Sequence, residues 1–300
     1  MKRKNLIVVL VVLVMVLVVS TVKMAGFFDW FSKGDNEFKS EINFKGSSTL
    51  APVISKISSS FMEENQTWDK VDKQFPKKEI QIFVAAGGSG AGIKAVTDGT
   101  TNFGMVSRNT SSSEQNNIDG YKEFKLGVDA LTVAINPKNR VKHNLTTEEI
   151  RKIFAGQYKY WNQINDNLPH KEIIVVTRDL GGGAHKVFQK KVMGDLQVKS
   201  SAIQAPSMGA LVNKIMENEY AIGYASVGVV NRNEGKIIPL SIDGVAPTKE
   251  NIISGDYKIS RPLLVIKGGE IPSAEQAFLE VLLSSESANI IEKMGFIPAK

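Results

Sequence analysis

The chain reads as an α/β protein of two lobes, each a mainly parallel sheet flanked by helices and joined to the other by hinge crossings. Three observations carry this. Strand-like apolar runs alternate with segments whose apolar residues recur at helical spacing, the order that builds parallel sheets. Several strand candidates end in turns of glycine, serine or arginine. The length, 300 residues, is long for one compact core and comfortable for two of ordinary size.

The first element is not part of the fold. Leu6 to Val19 is uninterruptedly apolar and follows Lys2, Arg3 and Lys4, the pattern of an export signal that leaves its positive flank in the cytoplasm. Residues 1–23 form this signal or anchor. No small-x-small cleavage site follows in Ser20 to Gly26, which favours a retained membrane anchor, and residues 24–40, with Trp30, read as a juxtamembrane linker. The chain has no cysteine, so lipid attachment at cysteine, disulfides and zinc–thiolate sites are all excluded. Three of its six net positive charges belong to Lys2, Arg3 and Lys4; with no basic run interleaved with aromatics elsewhere, nucleic acid is not an expected partner.

The folded part begins near Glu41. Ile42 to Lys45 is a strand, Gly46-Ser47-Ser48-Thr49 a turn, and Leu50, Val53, Ile54, Ile57 and Phe61 the apolar face of a helix. The same order repeats: Ile80 to Ala85 is a strand, Gly87 to Gly92 a glycine-rich turn, and Lys94 to Val96 lies in a short helix. A third strand, Asn102 to Val106, runs into Ser107-Arg108. Val128 to Ile135 is a fourth, with Asn136-Pro137 a natural place to enter a second lobe.

Thr146 and Glu149 form a capping box ahead of Ile150, Ile153 and Phe154. Ile173 to Val176 is a buried-type strand feeding Arg178-Asp179-Leu180-Gly181-Gly182-Gly183-Ala184. Ser207 caps a helix containing Leu211, Val212, Ile215 and Met216; Tyr220 to Ala225, Ile237 to Leu240 and Leu263 to Ile266 are further strands. Ser273 to Leu283 and Ala288 to Met294 read as closing helices. The expected division is 41–130 with 241–300 for the first lobe and 131–240 for the second.

A strand that turns through glycine and serine into a helix offers backbone N–H groups, the positive end of the helix dipole and hydroxyl donors together, which suits an anion. In open α/β sheets such strand ends gather at one crevice. Nucleotide loops do not fit: Gly87 to Gly92 lacks the Gly-Lys-Ser/Thr ending of a Walker loop and has Ile93 where a dinucleotide fingerprint needs glycine. His143, His170 and His185 show no metal-ligand spacing. Glu63-Glu64 and Glu148-Glu149 are adjacent pairs that point to different parts of a helix surface, so no acid–base pair and no enzyme is expected. No cofactor is implied. Tyr224 and Ser226 either approach the cleft or finish a buried strand; both readings stay open.

In order along the chain, Gly46-Ser47-Ser48-Thr49-Leu50-Ala51-Pro52, Gly88-Ser89-Gly90-Ala91-Gly92-Ile93 and Gly104-Met105-Val106-Ser107-Arg108 resemble the periplasmic phosphate-binding proteins of high-affinity phosphate uptake, as do Ile222-Gly223-Tyr224 and Gly295-Phe296-Ile297-Pro298. The resemblance implies a type II-like periplasmic-binding-protein fold whose lobes close over inorganic phosphate or a similar oxyanion. It makes Ser48, Thr49, Ser89, Ser107 and Arg108 ligands on the first lobe and Arg178, Gly181, Gly182 and Gly183 ligands on the second. It also implies ABC permease subunits as membrane partners, a monomer, and a place on the extracytoplasmic face of the membrane or in the periplasm. A tethered sensor of another oxyanion is the alternative. Gly182 and Ala184 stand where the family has serine and threonine, and Asn102 where it has aspartate, which leaves Asp179 as the nearest carboxylate to accept a proton from phosphate.

Overall fold

The computed structural model describes residues 38–299; the apolar segment expected over 1–23 and the linker up to residue 37 lie outside them. Among the described residues no helix is long and apolar enough to cross a membrane. In chain order the strands are β1 (Glu41–Gly46), β2 (Gln81–Ala86), β3 (Phe103–Val106), β4 (Lys122–Ile135), β5 (Asn144–Leu145) and β6 (Ile174–Arg178). They continue as β7 (Ile203–Ala205), β8 (Ala221–Ser226), β9 (Ile238–Pro239), β10 (Ser241–Ile242), β11 (Ser260–Lys267) and β12 (Ile297–Pro298). The helices used below are α1 (Ala51–Asn65), α2 (Ser89–Thr97), α3 (Ser112–Asn116), α4 (Thr147–Phe154), α5 (Gly183–Phe188), α6 (Met208–Glu217), α7 (Val227–Asn231), α8 (Lys249–Ser254), α9 (Ser273–Leu282) and α10 (Ser285–Lys293).

Two sheets share one strand. The strand order is β2-β1-β3-β11-β4-β8-β6-β7; β1 is parallel to β2 and β3, and β6 is parallel to β7 and β8. β4 is antiparallel to β11 up to Ala130 and antiparallel to β8 from Leu131 onward, so the first sheet hands over to the second within a single strand of 14 residues. β4 begins at Lys122, six residues before the expected Val128, because Lys122 to Lys125 pair with β11 although their side chains are mostly exposed.

On the first sheet, Phe44 stacks on Phe103 at 5.0 Å between ring centroids, and Phe278 of α9 meets Phe44 edge-on at 5.8 Å. Phe61 of α1 joins the same cluster, so α9 packs on the first sheet through Phe278. Such aromatic pairs add about 0.5–1.5 kcal/mol each beyond the area they bury. The second core runs through Leu131, Val133, Ile150, Phe154, Phe188, Leu211, Ile222 and Tyr224.

The stretch 241–259, expected with the first lobe, packs into this second core instead. β10 pairs with β5, and Ile242, Ile252, Tyr257 and Ile259 are buried among the second-sheet residues, with the Tyr257 hydroxyl donating to the Leu131 carbonyl at 2.9 Å. The return crossing therefore falls at Ser260, the first residue of β11. The strand expected over Ile237 to Leu240 is reduced to β9, where Pro239 has no N–H to extend the ladder.

Candidate anion site between the lobes

The site starts where β1, β2 and β3, which run side by side, deliver their carboxyl ends. Gly46 ends β1 at φ +140°, and a side chain there would collide with the Met105 carbonyl and crowd Gly92 of α2; glycine lets the turn sit tightly against β3. Ser47 then uses its hydroxyl as a cap. Its Oγ accepts from the Thr49 and Leu50 N–H groups, each at 3.2 Å, and bonds to the Ser107 hydroxyl. Ser89 Oγ accepts from the Ser107 N–H at 3.1 Å, which ties the second turn to the third.

Thr49 and Ser107 are held from below. Arg261, the second residue of β11, donates from Nη2 to Thr49 Oγ1 at 3.0 Å and from Nη1 to the Ser107 carbonyl at 3.3 Å. The same guanidinium donates to Asp129 Oδ2 from Nε at 3.0 Å and from Nη2 at 2.7 Å, and Asp129 Oδ1 accepts from the Ser226 hydroxyl at 2.9 Å.

The other lobe contributes Arg178, at the end of β6. Its guanidinium is 2% exposed and nearly saturated: Asp179 Oδ1, the Ala205 and Pro206 carbonyls, and Ser48 Oγ at 3.0 Å all accept from it. Ser48 Oγ also accepts from the Met208 N–H at 3.1 Å. The glycine loop docks backbone to backbone, with the Gly90 N–H donating to the Gly181 carbonyl and Gly183 so close to Ser89 that a Cβ would strike its Oγ.

Of the expected ligands, Ser48, Thr49, Ser89, Ser107, Arg178, Gly181 and Gly183 thus lie in one hydrogen-bonded and packed cluster. Two are engaged elsewhere. Arg108 is clamped by Glu114, both Nη atoms at 2.7 Å, with Nη1 also reaching the Asn109 carbonyl. Glu114 is at the same time the capping-box acid of α3, so its position is fixed by the helix start. Gly182 spends its N–H on the Asp179 carbonyl at 2.9 Å. Asn102 stands at the opposite end of β3 from Ser107; it accepts from the Asn43 N–H and donates to Glu275, so its amide has no bearing on the cleft.

The hydroxyls share one polarity. Ser48, Thr49 and Ser89 each accept from protein N–H groups. Ser47, with both lone pairs taken by Thr49 and Leu50, must donate to Ser107. The protons of Ser48, Thr49, Ser89 and Ser107 have no acceptor among the described residues. A cluster of hydroxyl protons without acceptors, backed by two guanidinium groups, is built to receive negative charge.

Behind the glycine loop, Tyr224 is fully buried, shares a 2.8 Å hydrogen bond with Thr177 and accepts from the Arg178 N–H at 3.0 Å; burial pushes its pKa up to about 12. His185 Nδ1 sits 3.3 Å from that hydroxyl, and burial holds the imidazole below its ordinary pKa, with Arg178 adding to the effect and Asp179 opposing it. Asp129, Arg261, Ser47 and Glu114 were not singled out by the sequence. The available signal for the first was a single charge in the apolar run Val128 to Ile135, and for the second an arginine at the start of the apolar run Leu263 to Ile266.

The fold and this cleft are those of a solute-binding protein, and the chain matches the PBP superfamily domain over residues 33–286; it belongs to that family. Among known proteins it is similar to the phosphate-binding protein PstS of Staphylococcus saprophyticus, 29% identical over 278 residues that cover 88% of this chain and 81% of that protein. PstS of Staphylococcus aureus strain USA300 is 27% identical, covering 89% of this chain and 80% of its own length. Among solved structures, a substrate-binding protein from Clostridium perfringens, assigned to phosphate ABC transport and holding bound phosphate, superposes with a TM-score of 0.76 at 27% identity, over 87% of this chain and 100% of that one. An ABC-type phosphate transport receptor from Vibrio cholerae gives 0.66 at 25% identity, over 86% and 100%.

Proposed function

We propose that this chain is the extracytoplasmic phosphate-binding component of an ABC-type import system. The observation that carries the reading is the cluster of hydroxyls at Ser48, Thr49, Ser89 and Ser107 beside Arg178, whose protons have no acceptor among the described residues. Residues 40–130 with 260–299 form one lobe and 131–259 the other. The first lobe captures the anion on the turns after β1, β2 and β3. Closure of the second then brings Arg178 and the backbone around Gly181 and Gly183 against it, while Arg108 stays with Glu114.

The homologous phosphate-binding proteins and the phosphate-bound relative support phosphate as the ligand. Binding needs no covalent step, so no catalytic role is assigned. A permease in the membrane reads the closed form, and the apolar segment before residue 23 tethers a monomer beside it, raising its effective concentration. Asp179, whose Oδ1 is taken by Arg178, offers Oδ2 as the carboxylate nearest the glycine loop to accept the proton that phosphate carries and sulfate does not.

Isothermal titration of the purified protein with phosphate, alone and in excess sulfate, tests this. Binding that survives sulfate is the expected result. No heat with phosphate rejects the reading, and equal competition by sulfate rejects the assignment to Asp179.

A further inference from the structure

We propose that Arg261 and Asp129 form a buried relay that fixes the donor geometry of the anion site from the two strands crossing between the lobes. The inference rests on the anion-binding reading above. Arg261 and Asp129 face each other as register partners on β11 and β4, with side chains 1% and 0% exposed. A buried ion pair returns little stability over an apolar pair of the same volume, because its attraction is spent on desolvation. The flanking positions, Leu131 and Leu263, show that apolar side chains fit here. The charges are placed for what they touch.

The guanidinium fork reaches three groups at once: Asp129 through Nε and Nη2, Thr49 Oγ1 through Nη2, and the Ser107 carbonyl through Nη1. By donating to Thr49 it occupies a lone pair of that hydroxyl and leaves the proton for another acceptor. By holding the Ser107 carbonyl it fixes the end of β3, where Ser107 also meets Ser47 and Ser89. On its far side Asp129 accepts from Ser226, the last residue of β8 in the second sheet. A continuous chain therefore runs from Ser226 through both crossing strands to Thr49 and Ser107. Rotation of one lobe against the other moves Asp129, and with it the fork. Arg261 is a positioning residue, not a ligand.

The decisive variant is R261K. A lysine ammonium keeps the ion pair with Asp129 but cannot span Thr49 and Ser107 as well. Titration with inorganic phosphate is expected to show affinity about 10- to 100-fold below wild type, while the unliganded protein melts within a few degrees of it. T49A should weaken binding similarly, and the double variant T49A/R261K should be no weaker than the worse single one, since both act on the same hydroxyl. Phosphate affinity within twofold of wild type in R261K, or additive losses in the double variant, overturns the relay.

If R261K does not fold, S226A carries the test. It removes only the hydroxyl that holds Asp129 Oδ1, and a severalfold loss of phosphate affinity is expected; unchanged affinity overturns the relay. Wild-type protein that does not bind phosphate at all rejects the functional reading itself, and the relay with it. Wild-type binding alongside unaffected variants rejects the relay alone.

Discussion

Ser48 Oγ accepts a hydrogen bond from Arg178 Nη1 at 3.0 Å, joining the turn after β1 to the end of β6 across 130 residues of chain. It links the two halves of the cleft side chain to side chain, and with Ser48 Oγ also accepting from the Met208 N–H, the serine proton is left for a ligand. Replacing Ser48 by alanine removes both the link and that donor. Phosphate affinity should fall about 10- to 100-fold, the worth of a hydrogen bond to a charged group. The melting temperature without ligand should change little. Titration calorimetry beside thermal denaturation separates the two effects.

Gly182 and Ala184 are not simply missing hydroxyls. A Cβ at 182 would lie 3.0 Å from the Asp179 carbonyl, 3.1 Å from Arg178 Nη2 and 3.2 Å from its Cζ, so a serine there presses on the Arg178 guanidinium. Ala184 is 2% exposed within the second core. G182S is expected to weaken phosphate binding severalfold, and A184T to destabilise the fold by about 1–3 kcal/mol through a buried hydroxyl. Tighter binding by the double variant G182S/A184T than by wild type would show that the family's hydroxyls can be restored here.

Gly183 packs directly on Ser89 across the cleft. G183A puts a methyl group where Ser89 Oγ stands in the closed arrangement. The lobes should then fail to reach full contact. Small-angle scattering in saturating phosphate should show wild type more compact than G183A, and phosphate should leave this variant faster in stopped-flow displacement.

His185 predicts the pH dependence of stability. Its pKa is lowered on folding, so the unfolded chain binds more protons between the folded value and the ordinary value of about 6.5. Stability contributed by the neutral imidazole is complete above about 6.5 and declines as pH falls below it. Melting temperatures measured from pH 8 to 5 should drop for wild type and drop less for H185Q. Equal slopes would remove His185 as the cause.

Glu114 acts lower on the scale. The hydrogen bonds from Arg108 hold its carboxyl at about 2, against an ordinary 4.5, so its contribution to stability persists above 4.5 and is lost as pH falls toward 2. E114Q leaves Arg108, 6% exposed, without its anionic partner. It should lower stability at pH 7 by about 1–3 kcal/mol and make the protein less sensitive to acid between those values, as followed by urea denaturation.

Much of the first-lobe half of the cleft was legible because its rule is local. Ser48, Thr49, Ser89 and Ser107 each sit within three residues of a strand end, and a strand, a turn and a helix can be read from neighbouring residues. Asp129 and Arg261 are partners across 132 residues, and nothing near either one in sequence announces the other. The resemblance makes Arg108 a ligand together with Ser107; its carboxylate partner, Glu114, lies in a polar stretch whose capping box only the helix start reveals. The return crossing was misplaced at 241 because β10 is only two residues long and pairs with an equally short β5. Asn102 stands where the family has aspartate, yet it occupies the end of β3 opposite Ser107, a distinction that depends on strand direction and not on residue type.

β4 serves both sheets as one continuous strand, Ala130 paired on one side and Leu131 on the other. A loop between bodies behaves like a string, allowing many orientations at similar cost, whereas a hydrogen-bonded ribbon behaves like a leaf spring. It bends and twists about one line and resists the rest. An empty protein hinged in this way samples a narrow arc of gapes rather than a wide cone, so the two jaws meet in register each time they shut.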